Sequence, residues 1–288
     1  MKKIYLIVVV LFLSCQFGSK DQYFDSVAEN DTKLQSPLRG EWRYEHDDKR
    51  QSFEEFTAAK PIKPVASKNT IYLKPIGNFT GLQRRQIELT KEYLEIFYQL
   101  KVETAADIPN EVVPKNSRRI GNENNEQLLA RYILDSVLIR QKPKDAIVMM
   151  GISELDLYPS PDWNYVFGLA SFKDKVGVSS IFRLQDNGLT PENFNLCLTR
   201  LLKVSSHEIG HMFSLHHCVG ANCVMNGTNH IPETDKHVSR LCSHCQRKLH
   251  STIKYDSRKR LVELIAFFKK TKLDEEAVLL RKDLESID

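Results

Sequence analysis

The sequence predicts an α+β protein, with an α/β-like upper part on a mostly parallel sheet and a mostly helical C-terminal part. Three observations predict it. Apolar strand patterns alternate with amphipathic helical patterns between residues 70 and 153. Two further strand patterns are joined by only three residues. Beyond Cys245 the chain is charged and helical in period.

TIYLKPI (70–76) reads as a strand, LQRRQIELTKEYLEIFYQL (82–100) as an amphipathic helix and LKVETA (100–105) as a second strand. NEQLLARYILDSVLIRQ (125–141) follows as a helix and DAIVMMGIS (145–153) as a buried strand. YVFGLASF (165–172) and VGVSSIFRL (176–184), linked by Lys173, Asp174 and Lys175, make an antiparallel hairpin at one side of the sheet. The next helix runs from about residue 193 to 213, with Phe194, Leu198, Leu201, Ile209 and Met212 near one face. SRKRLVELIAFFKK and DEEAVLLRKDLES complete the helical part.

A chain of 288 residues with 41% hydrophobic content can bury one enzyme-sized core. The net charge of +4 includes Lys2 and Lys3 of an apparent leader, so no electrostatic case for nucleic acid remains. No internal repeat or glycine-rich phosphate loop is present.

The opening MKKIYLIVVVLFLSC has two lysines, an apolar run from Ile4 to Leu13, then Ser14 and Cys15. This is the order of a secretory leader, too short to span a membrane. It resembles a bacterial lipoprotein signal, with Cys15 as the lipidated first residue of the mature protein, although Phe12 stands where a small aliphatic residue is usual. An ordinary cleaved leader is the alternative. The expected organisation is a signal peptide at 1–15, a tether and N-terminal arm at 16–68, and a catalytic domain at 69–288, in an exported, membrane-anchored protein of the periplasm or cell surface.

The chemistry concentrates in HEIGHMFSLHHC (207–218). On a helix His207 and His211 lie one turn apart, so both imidazoles reach one ion at about 2.0–2.1 Å. Glu208 is rotated off that line, where it can hold a water rather than the metal. His217 lies too far along for the same helical face, so the chain must turn back for it to supply a third nitrogen. His216 competes for that role, and spacing favours His217. Three neutral imidazoles leave a fourth position for water, whose pKa on such a zinc falls to around 7; Glu208 would then serve as general base.

HEIGHMFSLHHC, continued by Cys223, Met225 and the distant pair Cys242 and Cys245, resembles the signature of the archaemetzincins, zinc peptidases of the metzincin clan. GEWRYEHDDKRQSFEEF, LDLYPSPDWNYVFGLASF, CVMNGTN and CxxCxxKL (242–249) extend the likeness from about residue 38 to the end. The resemblance implies a metzincin-like zincin fold with a mixed twisted sheet, an active-site helix and a helical lower part. It implies His207, His211 and His217 as catalytic zinc ligands, Glu208 as base, Met225 as the Met-turn residue beneath the metal, and strand 165–172 as the edge that pairs with extended substrate.

Cys218 with Cys223, and Cys242 with Cys245, form two hooks that together suit a closed, structural four-thiolate zinc site at 218–245 with bonds near 2.3 Å. Zinc would then number two ions, one catalytic and one structural. Disulfides compete in an exported chain, but the C-x-x-C spacing favours a metal hook. His244 is a substitute ligand or a solvated spacer, and Cys197 a buried small hydrophobe.

Two departures from the family pattern stand out. Ser214 occupies a glycine position, costing about 1–2 kcal/mol if the backbone there is left-handed. The interval between Met225 and Cys242 is one residue short of the usual count. The leading expectation is a zinc metallopeptidase acting on a peptide or protein substrate, in a family that includes aminopeptidases. The alternative is a zinc-stabilised peptide-binding protein with little hydrolysis, favoured only by Ser214. DDKR and SRKR are expected on solvated faces.

Overall fold

The computed structural model describes residues 20–185 and 188–288. The leader and Cys15 lie outside the described residues. Helix α1 (Lys20–Ala28) begins within the expected tether, and it is docked, not free: Val27 and Phe24 are buried, and Tyr23 Oη donates to Gln246 Oε1 at 2.8 Å. Short helices α2 (Trp42–Glu45) and α3 (Phe53–Ala58) continue the arm. A reciprocal Ser52–Glu55 capping box starts α3, and Phe56 anchors it in the core.

The main sheet contains β1 (Thr70–Ile76), β2 (Val102–Thr104), β5 (Ala146–Ser153), β7 (Gly168–Ser171) and β8 (Val176–Ser180), in the order β2-β1-β5-β8-β7. All pairings are parallel except β7 with β8, so the sheet is mixed with an antiparallel hairpin at its edge, as the sequence predicts. Every residue of central β5 is buried, which explains its continuous apolar run. Helix α4 (Gly81–Tyr98) starts at a Thr80–Gln83 capping box and connects β1 to β2.

The segment expected as one helix at 125–141 divides. Glu126–Leu129 is strand β4, which pairs with β3 (Arg118–Ile120) and β6 (Asp156–Tyr158) in a second, three-stranded sheet. Only then does the chain turn helical, through α5 (Ala130–Tyr132), a π-helical stretch (Ile133–Leu138) and α6 (Ile139–Gln141). Leu128 is buried against the second core and Gln127 Nε2 donates to Asp156, partners that local periodicity does not reveal. The strand expected at 176–184 ends at Ser180, where Ser180 Oγ accepts from Phe182 N and a 3₁₀ turn (Phe182–Leu184) begins.

Helix α7 (Phe194–Met212) packs against the sheet on one side and α4 on the other, and is buried almost all round. Helix α8 (Ile231–Lys236) is tied to it by a bidentate Arg200–Asp235 pair at 2.7–2.8 Å. Helices α9 (Ser243–Ile253), α10 (Ser257–Lys270) and α11 (Val278–Glu285) complete the lower part. The SRKR run is not wholly solvated: Arg260 is 2% exposed, donates to Phe97 O at 2.6 Å and stacks over the Phe97 ring. Among the described residues no helix is long and apolar enough to cross a membrane.

Candidate metal centres

Helix α7 ends in a Schellman motif, with Leu215 N donating to Gly210 O at 3.0 Å and Ser214 N to His211 O at 2.8 Å. Its left-handed position is Ser214, at φ 72°, where glycine is usual. The strain expected of this serine is therefore present. It is opposed by neighbours, since Ser214 O accepts from Gln51 Nε2 at 3.0 Å and Ser214 Oγ from Lys175 Nζ at 3.3 Å. The turn still reverses the chain toward His217, so Ser214 does not displace that histidine from the cluster.

His207, His211 and His217 offer ligand nitrogens all within 4.8 Å of one another. His207 and His211 Nε2 are 2.9 Å apart, near the roughly 3.3 Å edge of a tetrahedron with 2.0–2.1 Å bonds. Each Nδ1 faces an oxygen that can only accept: Val224 O at 2.8 Å for His207, Leu215 O at 2.7 Å for His211 and Asp48 Oδ2 at 2.8 Å for His217. The protons must therefore sit on Nδ1, leaving three Nε2 lone pairs to converge. Burial lowers His207 to about 3 and His211 well below the ordinary imidazole range, so both are neutral at physiological pH. His216 is exposed and turns to the Phe172 ring, leaving His217 as the convergent partner.

Glu208 is buried beside the triad, and burial raises its carboxyl to about 8. It lies against Gly168 of the edge strand so closely that a Cβ there would come within 2.5 Å of Glu208 Oε1. Below the triad, Met225 is fully buried and packs under Gly210; a Cβ on Gly210 would meet its sulfur at 2.5 Å. The glycine inside HEIGH thus makes room for the methionine. These groups open on a cleft of about 680 Å³ walled by Trp42, Trp163, Tyr165, Phe172, Lys203 and His237.

Cys218, Cys223, Cys242 and Cys245 form a second, buried cluster with all sulfurs within 4.8 Å. Cys218 and Cys242 Sγ are 3.7 Å apart, close to the roughly 3.8 Å edge of a tetrahedron with 2.3 Å bonds and far from the 2.05 Å of a disulfide. The other three cysteines donate toward Cys218, holding its thiol well below the ordinary range. Met225 N and Cys242 N both donate to Cys223 Sγ, at 3.4 and 3.3 Å. His244 is neither ligand nor solvated spacer: it is half-buried, with Nε2 3.1 Å from Gln51 O. Cys197 is buried away from both clusters.

Three participants have no role assigned from the sequence, although each lies in a stretch that carries the family likeness. Asn226 stitches the Cys218–Cys223 loop, donating to Cys218 O at 2.6 Å and accepting from Cys223 N at 2.7 Å. Asp48, within the DDKR run expected on a solvated face, reaches His217, and its hydrogen bond there lowers its carboxyl to about 2. Gln51 accepts from Lys248 Nζ and joins the arm to the turn at Ser214.

Residues 98–251 match Peptidase family M54. Archaemetzincin-2 of Rattus norvegicus is 33% identical over 79% of this chain and 72% of its own length. Archaemetzincin of Pyrococcus furiosus is 38% identical over 43% of this chain and 64% of its own. The crystal structure of archaemetzincin from Methanopyrus kandleri superposes with a TM-score of 0.54 at 27% identity, covering 67% of this chain and 99% of that one. By these matches the chain belongs to Peptidase family M54, the archaemetzincins, and is a zinc-dependent metallopeptidase.

Proposed function

We propose that the chain hydrolyses peptide bonds at the histidine cluster, with His207, His211 and His217 holding a catalytic zinc and Glu208 as general base, while the four cysteines hold a structural zinc. The observation that carries this reading is the convergence of three Nε2 lone pairs on one point beside a buried carboxyl, at the floor of an open cleft. Zinc bound there supplies Lewis acidity toward water and the scissile carbonyl. The protein's part is to orient and to move a proton.

Glu208, buried beside the triad and held against Gly168 of the edge strand, is placed to take the proton of the attacking water and pass it to the leaving amine. Strand β7 is the outer strand of its sheet, so its free edge can pair with an extended peptide and place the scissile bond over the triad. Met225 under Gly210 acts as the Met-turn residue of a metzincin-like arrangement. Aminopeptidase action is the finer form of this reading, resting on family resemblance alone. The lipoprotein-like opening supports an exported, membrane-anchored enzyme through Cys15.

Incubation with a mixed peptide library, with fragments read by mass spectrometry, tests the reaction and shows whether cuts fall at chain ends or inside. Glu208→Ala should retain two zinc ions per chain by elemental analysis and lose cleavage by about 10²–10⁴-fold. A Glu208→Ala protein that still turns over peptides at the wild-type rate refutes the assigned base.

A further inference from the structure

We infer that Asp48 is a positioning residue of the catalytic centre: the N-terminal arm supplies it as the anionic partner that holds the His217 imidazole with Nε2 toward the metal position. The inference rests on the ligand assignment above and extends it to the N-terminal arm, which precedes residues 98–251 matched by the family model.

The three ligands differ in how they are held. His207 and His211 project from one rigid helix, and their Nδ1 atoms meet backbone carbonyls of the turn and loop that follow it. His217 lies beyond the helix, after the left-handed Ser214, and its Nδ1 instead meets a carboxylate 169 residues earlier in the chain. That carboxylate is itself fixed. Trp42 Nε1 donates to the same Oδ2 at 2.6 Å, and Trp42 sits so tightly on Gly227 that a Cβ there would come within 2.5 Å of the indole ring. Trp42 N donates to Glu233 Oε1 at 2.9 Å, anchoring the arm to α8.

Three residues after Asp48, Gln51 clamps the other end of the same turn. Its Nε2 donates to Ser214 O at 3.0 Å and its Oε1 accepts from His216 N at 3.3 Å, while Lys248 Nζ donates to its backbone oxygen at 2.5 Å. The arm thus brackets residues 214–217 on both sides. A carboxylate acceptor also raises imidazole basicity more than a carbonyl does, which strengthens the bond from Nε2 to a metal. Asp48 therefore supplies both orientation and charge to the ligand that the helix does not hold.

The test uses the full chain and reads metal binding, independently of peptide cleavage. Cobalt is loaded in place of zinc, with thiolate charge-transfer bands reporting the cysteine cluster and visible d–d bands the histidine cluster; zinc affinity is measured by chelator competition. Asp48→Asn, which keeps the shape but loses the charge, should weaken the histidine site about 10-fold, and Asp48→Ala up to about 100-fold, with the cysteine-site spectrum unchanged. Wild-type affinity and wild-type visible bands in both variants overturn the inference. If Asp48→Ala does not fold, the near-isosteric Asp48→Asn decides by the same criterion. Failure of the wild-type histidine cluster to take up metal overturns the ligand assignment, and the role of Asp48 with it.

Discussion

The histidine and cysteine clusters are neighbours in sequence, with His217 directly followed by Cys218, yet they are built for opposite ends. The histidines converge from one helix and one turn onto the floor of an open cleft, and their outer nitrogens are held by two carbonyls and one distant carboxylate. The cysteines are all buried, and backbone amides donate to the sulfur of Cys223. Three neutral ligands leave a divalent ion positively charged and able to polarise a substrate. Four thiolates quench it, leaving a site suited to cross-linking the chain. The difference teaches that donor identity sets the task, and on the proposed reading the junction at residues 217–218 would let the closed site brace the open one.

The sharpest break of this comparison is Cys223→Ala. A structural site contributes directly to folding, so its loss should cost on the order of 5 kcal/mol or more and lower Tm by roughly 10 °C or more, read by circular dichroism alongside zinc content. An unchanged Tm would mean that the cysteine cluster does not brace the fold.

Next is Gly168→Ala, which attacks the open site alone. The new methyl would enter the space of the Glu208 carboxyl, and a displacement of about 1 Å should reduce kcat by roughly 10²-fold while both metals and Tm stay near wild type. Peptide turnover beside a thermal melt separates the two effects.

Ser214→Gly sharpens the comparison at the turn between the clusters. Relief of the left-handed backbone at φ 72° should stabilise by up to about 1 kcal/mol, a Tm gain of about 2 °C, with the Gln51 bond to the backbone oxygen retained. A loss of stability would show that the Lys175 contact to the serine hydroxyl outweighs the strain.

The smallest effect is a pH dependence of the metal-free protein. The folded Asp48 carboxyl lies near 2, below its ordinary 3.8, so the stabilisation it contributes is fully present above about pH 4 and is lost as pH falls through about 2. Acid unfolding of metal-free wild type should therefore diverge from that of metal-free Asp48→Asn above pH 4 and converge with it near pH 2.

What the sequence determined by itself was whatever depends on short spacing and donor chemistry. An i,i+4 histidine pair shares a helical face wherever that helix lies, C-x-x-C and C-x4-C are hooks of local geometry, and an apolar run such as AIVMMGIS is buried by its own composition. Ser214 was likewise legible, because a turn that reverses a helix calls for a left-handed residue. The tertiary structure alone decided what rests on distant partners. Residues 126–129 became a strand because Asp156–Tyr158 offered an edge, against their helical neighbours. Arg260 of SRKR was buried because Phe97 O and its ring received the guanidinium. Asp48 left the solvated face expected of DDKR because the fold carries the arm across the cleft to His217. A hydrogen bond spanning 169 residues leaves no periodicity in either segment, so only the folded chain can form it and only the folded chain reveals it.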